Sequence, residues 1–285
     1  EALKDQSIVL PIGGWTAGGH DRVLLYPLFE SSPPPTDLEG MNALAASIGR
    51  LHGSMVPFET PNTERLWNDR LKAMEDELKP RTLWRAPHTK ATVGLPHLHL
   101  DLNHLANSEG GPHWVAMPRS LADALVCQPE RLPSLASLMR FERQFARRQP
   151  LDESHRKALL ESWSNAAPKA WSKGKALSTA LGGAWVWRYN AVLEQLLHAR
   201  TYGDADLEQD SLDWLGEVSR LQARLGTLRM WKSGFWVGLT GVIVAYVGND
   251  WGTFTSMQSW LLAAGSIAFA GVTNRMYWAK DPLPY

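Results

Sequence analysis

The sequence predicts an α+β protein in which a small mixed α/β N-terminal unit is followed by an α-helical region and a C-terminal two-helix transmembrane hairpin. Three observations lead to this class. Short runs typical of strands alternate with helical patterns up to residue 118, only helical patterns follow, and two uncharged apolar runs occupy residues 233–248 and 259–273. The predicted divisions are residues 1–118, 119–230, 231–278 and a cytoplasmic tail at 279–285.

The N-terminal unit begins with two predicted strands, residues 7–12 and 22–29, which are joined by a glycine-rich connection at residues 13–21. The backbone amides of such a connection could hold an anion. However, it lacks the lysine of a phosphate-binding loop and the GxGxxG spacing of a dinucleotide site. A flexible hairpin loop is therefore the favoured interpretation.

Two helices and two further strands complete the predicted N-terminal unit. The helices cover residues 38–51 and 63–79, and Asp37 is placed to cap the first of them. Apolar and polar side chains then alternate along residues 91–103, which predicts a strand, and another strand is predicted at residues 113–117.

The strand predicted at residues 91–103 carries the best candidate for a chemical site. Because side chains alternate along a strand, His97, His99 and Asp101 would lie on one face. Two imidazoles and a carboxylate are a ligand set that Zn²⁺ or Mn²⁺ accepts, so a divalent metal is one hypothesis. The favoured interpretation is a solvated polar face without metal. No common nucleophile or phosphate-binding motif occurs elsewhere, so an enzymatic role is left open rather than predicted.

Every element predicted after residue 119 is a helix. Apolar residues recur at helical spacing in five segments, at residues 120–127, 132–148, 151–163, 184–200 and 204–231. The second of them carries a basic run, Arg140, Arg143, Arg147 and Arg148, interpreted as a solvated face that could alternatively meet phosphates, an anionic membrane or an acidic partner. The last segment lies so close to the first apolar run that one helix could contain both.

The two apolar runs are each shorter than the roughly 20 residues that cross a bilayer, so a buried soluble hairpin is the alternative to a membrane hairpin. Aromatic and basic residues near the ends of the runs favour the membrane interface: Trp231, Lys232, Trp236, Tyr246, Trp251, Trp260, Arg275, Tyr277 and Trp278. Small residues at four-residue spacing predict close packing of the two helices: Gly234 with Gly238, and Ala264 with Ala268.

The distribution of charge predicts how the hairpin is oriented. Basic residues flank its two outer ends, whereas the connection at residues 249–258 contains no Lys or Arg and includes Asp250. The positive-inside rule therefore places both outer ends in the cytoplasm. We expect a bacterial inner-membrane protein whose soluble part is cytoplasmic.

The composition limits the remaining classes of function. The chain has 285 residues, with 29 basic and 29 acidic side chains, so no overall positive field favours nucleic acid. A single cysteine, Cys127, excludes an intramolecular disulfide and a cysteine-built zinc site. The expected partners are the lipid bilayer and a protein partner or further copies of the chain. No cofactor is expected apart from the divalent metal considered above.

These features together predict a membrane-anchored, non-enzymatic interaction or effector protein with a cytoplasmic soluble domain. One alternative is a membrane-tethered metal-dependent hydrolase that uses His97, His99 and Asp101. Another is a soluble subunit of a larger assembly in which the hairpin is buried.

Overall fold

A computed structural model of the chain describes residues 8–18, 20–61, 64–78, 93–97, 99–109, 111–118, 125–126, 131–181 and 183–284. The structure is of the mixed α+β class, rich in helix and with small sheets. The chain divides into two compact units, Glu1–Leu215 with Pro284–Tyr285, and Gly216–Leu283. The second unit is thus inserted between two segments of the first. Most of the predicted helix at residues 120–127, including Cys127, lies outside the described residues.

The helices of the first unit account for most of its described residues. They are α1 (Leu38–Ser54), α2 (Glu64–Leu78), α3 (Ser134–Ala146), α4 (Glu153–Ala166), α5 (Lys169–Ser172), α6 (Gly183–Tyr202) and α7 (Ala205–Gly216). Asp37 caps α1 as predicted, since its carboxylate accepts a hydrogen bond from the Gly40 amide at 2.6 Å. Helix α6 is buried on nearly all sides, so any polar residue on it must find a partner inside the protein.

The strands of the first unit are short and form three small sheets. They are β1 (Ile8–Val9), β2 (Gly13–Ala17), β3 (His20–Leu25), β4 (Ser31–Ser32), β5 (Thr60–Pro61), β6 (Val93–Pro96), β7 (Leu105–Ala106), β8 (His113–Val115) and β9 (Arg131–Leu132). The orders are β1-β8-β7-β4, β2-β3 and β5-β6-β9. Only the β1–β8 pair is parallel among these described pairings.

The glycine-rich connection predicted as a loop at residues 13–21 is largely a strand. Its first five residues form β2, which pairs with β3 in an antiparallel ribbon with an irregularity between Trp15 and Thr16. Gly18, which lies between β2 and β3, has a φ of 63°, a conformation that glycine adopts without steric cost. Gly13 and Gly14 lie within β2.

The prediction of a strand at residues 91–103 is wrong beyond Pro96. Strand β6 ends there, and His99 has a φ of 46°, which is incompatible with an extended strand. Asp101 then forms a turn, because its carboxylate accepts a hydrogen bond from the Asn103 amide at 2.9 Å. The alternating pattern therefore does not correspond to a continuous strand face.

The core of the first unit lies where α1 packs against α4 and where α3 packs against α6. Gly49 allows the first contact, since a Cβ atom there would lie 2.7 Å from the Trp163 carbonyl oxygen. Two buried indoles also donate hydrogen bonds to α1: Trp114 to Ser47 Oγ at 2.8 Å and Trp163 to His52 Nδ1 at 3.1 Å. Burial of these aromatic groups is therefore achieved without leaving either N–H unpaired.

The second unit consists of two long helices that pack against each other, α8 (Val218–Asp250) and α9 (Ser256–Ala279). Helix α8 is continuous over 33 residues, so the predicted boundary at residue 231 falls inside it. The connection between the helices uses Gly252 at a φ of 70°, and Thr255 with Gln258 forms a capping box at the start of α9.

Candidate functional site

The contact between α8 and α9 depends on glycine. A Cβ atom on Gly234 would lie 2.9 Å from Thr273 Cγ2, and one on Gly238 would lie 2.8 Å from Ala270 Cβ. On α9, however, the predicted packing residues Ala264 and Ala268 are exposed, and Ser266, Ala270 and Thr273 face α8 instead. The reason is geometric: positions 266, 270 and 273 follow the helical repeat on the opposite side from 264 and 268.

The outer surface of this helix pair is apolar. Within Ala223–Asp250, α8 is long and apolar enough to cross a membrane, and little of this segment is buried. Among the helices in the described part of the chain, α8 alone is both long and apolar enough to cross a membrane; α9 does not meet both conditions. Large exposed apolar side chains nevertheless occur on both helices: Trp236, Val237, Ile243, Val244, Leu261, Leu262, Ile267, Phe269 and Val272.

The predicted membrane-interface residues lie in two groups along these helices. At the outer ends, Lys232 Nζ lies 5.2 Å from the ring centroid of Tyr277, and Lys280 Nζ lies 5.2 Å from that of Trp231. Cation–π contacts of this kind link the two helices. The other predicted interface residues are exposed: Trp236, Tyr246, Trp251, Trp260, Arg275 and Trp278.

The predicted metal ligands in the first unit are only partly brought together. The rings of His97 and His99 meet edge to face with centroids 4.4 Å apart. The Asp101 carboxylate instead accepts hydrogen bonds from Asn103 and lies 3.5 Å from His104 Nδ1. Within the described ranges, no group of three or more His, Cys, Asp or Glu side chains is placed to hold a metal ion.

The two histidines contact α3 rather than Asp101. His97 Nδ1 lies 3.3 Å from the Ser137 hydroxyl, and Arg140 Nη1 lies 3.3 Å from His99 Nδ1. Because a guanidinium can only donate, Nδ1 of His99 must be the acceptor, and the ring proton of a neutral His99 is then on Nε2. Ser137 and Arg140 are three residues apart on α3, so both reach the same side of that helix.

Arg140 belongs to a larger polar network between α2, α3 and α6. Arg70 Nη2 donates to Glu194 Oε1 at 2.6 Å, and Arg70 Nε donates to Asn190 Oδ1 at 3.2 Å. Arg140 Nη1 lies 3.9 Å from the other oxygen of Glu194. We call His97, His99, Arg70, Arg140 and Glu194 the histidine–arginine cluster.

The side chain of His97 is the least satisfied member of this cluster. Its Nε2 atom is buried and has no hydrogen-bond partner anywhere in the described structure. Burial, followed by the charges of His99, Arg140, Arg70 and His52, holds the pKa of His97 well below its ordinary value. The imidazole is therefore neutral, with one ring nitrogen that can donate and one that can accept.

No family model, curated protein or solved structure matches this chain. The physical properties of the two sites are therefore the basis for any functional assignment.

Sequence reasoning missed Arg70 and Glu194, which are 124 positions apart and meet only through tertiary packing. A signal for Glu194 did exist, because it lies in a largely apolar segment, and a carboxylate that is buried with such a helix needs a cation as its partner. The interpretation of the basic run as a solvated face holds for Arg147 and Arg148, which are exposed, but not for the two arginines of α3. Arg140 is only partly exposed, and Arg143 is buried with Asp210 Oδ2 at 2.6 Å from its Nη2.

Proposed function

We propose that this chain is a membrane-anchored, non-enzymatic interaction or effector protein, in which α8 and α9 form a two-helix transmembrane hairpin and the first unit binds a partner. The observation that carries the proposal is the apolar exterior of the hairpin. Small residues lie between the helices and large apolar side chains lie outside, which is the reverse of a soluble helical hairpin.

The spacing of the aromatic residues supports a transmembrane arrangement. An α-helix rises about 1.5 Å per residue, so Trp231 and Trp251 are separated by roughly 30 Å along α8, and Trp260 and Trp278 by roughly 27 Å along α9. Both distances are close to the thickness of a bilayer hydrocarbon core, about 30 Å. The indoles would then lie at the two interfaces, where amphipathic rings are favoured.

The β2–β3 ribbon supports the part of the proposal that concerns a protein partner. Trp15 pairs across the ribbon with Val23, and Gly13 pairs with Leu25, so Trp15, Val23 and Leu25 share one face. All three are exposed, Trp15 to 63%. An exposed apolar face of this kind is typical of surfaces that bind another protein.

Fractionation of cells that express the full chain tests the membrane anchor. We expect the protein to sediment with membranes and to resist extraction at alkaline pH. The double variant Val237→Lys and Ile243→Lys should lose most of this association, because each lysine near the centre of a span costs roughly 2.5–3.5 kcal/mol on insertion.

The matched control is Leu212→Lys, which adds a lysine at an exposed apolar position of α7 in the first unit and should leave sedimentation unchanged. If the unmodified chain remains in the supernatant after ultracentrifugation without detergent, the membrane proposal is wrong, and the hairpin is then to be sought inside a larger soluble assembly.

A further inference from the structure

We infer that the outer end of the hairpin binds the phosphate group of an anionic phospholipid through four basic residues, Arg229, Lys232, Arg275 and Lys280, which we call the basic band. The lipid belongs to the leaflet at that end of the hairpin. This inference rests on the proposed function, because it requires α8 and α9 to be in a bilayer, and it adds which lipid they bind and at which end.

The charges of the second unit are concentrated at its outer end. Outside the connection at residues 249–258, this unit contains six basic side chains but only two acidic ones, Glu217 and Asp281. The Glu217 carboxylate lies 2.7 Å from Arg220, which is not a member of the band. With Asp281 counted against it, the band still has an excess of three positive charges. The connection has no basic residue, so an anionic ligand is favoured at one end only.

The basic band is open to a ligand from outside the protein. In the part of the chain that the structure describes, none of its four side chains forms an ion pair or a hydrogen bond with another protein group. Arg229, Arg275 and Lys280 are exposed, and Lys232 is half-buried. A bound anion therefore displaces no described contact with a carboxylate.

The four residues of the band lie at one level of the hairpin. The two members on α8 are three residues apart and the two on α9 are five residues apart, which correspond to roughly 4.5 Å and 7.5 Å along the helix axes. The contacts of Lys232 with Tyr277 and of Lys280 with Trp231 join the helices at this level. In the proposed bilayer it is the interface where Trp231 lies, next to the lipid headgroups.

The ammonium group of Lys232 needs an anionic partner most. It lies 5.1 Å from the ring centroid of Phe235 and 5.2 Å from that of Tyr277. The two rings attract this cation, but they accept no strong hydrogen bond from its three N–H donors and do not neutralise its charge. Hydrocarbon offers no acceptor, so the oxygens of a lipid phosphate are the acceptors that a bilayer provides at this level.

The net charge of the band determines which class of phospholipid fits. A zwitterionic lipid such as phosphatidylcholine also has a phosphate group, but its own ammonium group would add a positive charge to a band that already has an excess. An anionic lipid such as phosphatidylglycerol adds the phosphate without that charge. The band should therefore discriminate between the two headgroups.

Native mass spectrometry of the full chain in a neutral detergent tests the inference, with equimolar dioleoyl phosphatidylglycerol and dioleoyl phosphatidylcholine as probes. Their acyl chains are identical, so any difference in binding is due to the headgroup. We expect phosphatidylglycerol to bind at least about tenfold more tightly. The double variant Arg229→Gln and Arg275→Gln should lower this preference by at least about fivefold, because a single basic residue near an anionic surface contributes about that factor to affinity.

The matched control is the double variant Arg147→Gln and Lys157→Gln, which removes the same charge from exposed positions of the first unit and should keep the preference. Equal binding of the two lipids to the unmodified chain overturns the inference. So does an unchanged preference in the Arg229→Gln and Arg275→Gln chain, or an equal loss in the control. A chain that sediments with membranes but does not distinguish the lipids refutes this inference alone, whereas a chain that stays in the supernatant removes the membrane proposal as well.

Discussion

Burial determines the protonation state of His52 in the core of the first unit. Its Nδ1 accepts a hydrogen bond from Trp163 at 3.1 Å, and burial lowers the pKa of the imidazole to about 3. The unfolded chain has an ordinary histidine pKa of about 6.5 at this position. Between these two values the unfolded state binds a proton that the folded state does not, so stability must fall as the pH drops below about 6.5.

The free energy of unfolding should therefore decrease by about 1.4 kcal/mol for each pH unit below 6.5 on account of His52 alone. His52→Gln retains an acceptor for Trp163 but cannot titrate, so its loss of stability between about pH 7.5 and about pH 5.5 should be smaller by roughly that amount. Denaturant titration of tryptophan fluorescence at both pH values measures the difference. An equal pH dependence for His52→Gln and the unmodified chain would contradict the assignment.

A buried ion pair provides a second prediction for a single residue. Arg188 donates two hydrogen bonds to the Glu142 carboxylate, at 2.7 Å and 2.9 Å, and both side chains are almost fully buried. Glu142→Gln leaves the guanidinium without its counter-charge and should lower the free energy of unfolding by about 3–5 kcal/mol.

The exposed pair of Arg220 with Glu217 is the comparison for this variant. Its N–O distance is the same 2.7 Å, but solvent screens both charges, so Glu217→Gln should change stability by less than about 1 kcal/mol. Denaturation of both variants under identical conditions measures the two changes. Similar losses from both would show that burial does not determine the contribution of these ion pairs.

At the scale of the elements, the contact of α8 with α9 should depend on which glycine is enlarged. Gly238→Leu places a side chain where Ala270 Cβ and the Ser266 carbonyl oxygen are already within 2.8 Å of a Cβ atom. We expect a loss of about 1–3 kcal/mol from overpacking. Gly265→Leu, on α9, meets nothing within 4 Å and should be neutral or slightly stabilising. The fraction of helix during denaturation in detergent measures both; destabilisation by Gly265→Leu as large as that by Gly238→Leu would argue against this packing.

The elements that the sequence predicts well are those with a strong local signal. Helix α1 begins after Asp37 because a carboxylate cap and an apolar periodicity occur together. The helix predicted at residues 204–231 is instead divided into α7 and α8, but α8 does continue into the first apolar run, since no proline intervenes. The alternation around His97 is also a clear pattern, but it is overridden by the left-handed conformation of His99 and the turn at Asp101. Both are local conformations that the alternation of polar and apolar residues does not encode.

The candidate sites likewise include features that the sequence predicts and features that depend on tertiary packing. The exterior of the hairpin can be predicted because it depends on composition over long runs, whereas the facing residues of α9 depend on a rotation that small-residue spacing alone does not determine. The histidine–arginine cluster could not be predicted, since Arg70 on α2 and Glu194 on α6 meet only when three helices pack together.

At the scale of the whole molecule, the second unit is a single segment of chain that begins and ends at the first unit. The chain leaves the first unit after Leu215 and returns to it at Pro284, whose carbonyl oxygen accepts a hydrogen bond from Arg188 at 3.0 Å. If α8 and α9 form a transmembrane hairpin, both of its outer ends must lie on the same side of the membrane. The connection between α8 and α9, which contains Asp250 but neither Lys nor Arg, would then lie on the opposite side.

Cysteine labelling tests this sidedness. In a Cys127→Ser background, Thr253→Cys places a thiol in the exposed connection and Glu217→Cys places one just before α8. In right-side-out vesicles from bacterial cells, a membrane-impermeant maleimide should label Thr253→Cys directly and Glu217→Cys only after detergent is added. The asymmetry follows from the cost of moving the charged flanks across the bilayer, about 2.5–3.5 kcal/mol for each basic residue at its centre. Equal labelling of both thiols in intact vesicles would contradict a transmembrane hairpin and would favour a helix pair that lies along one face of the membrane.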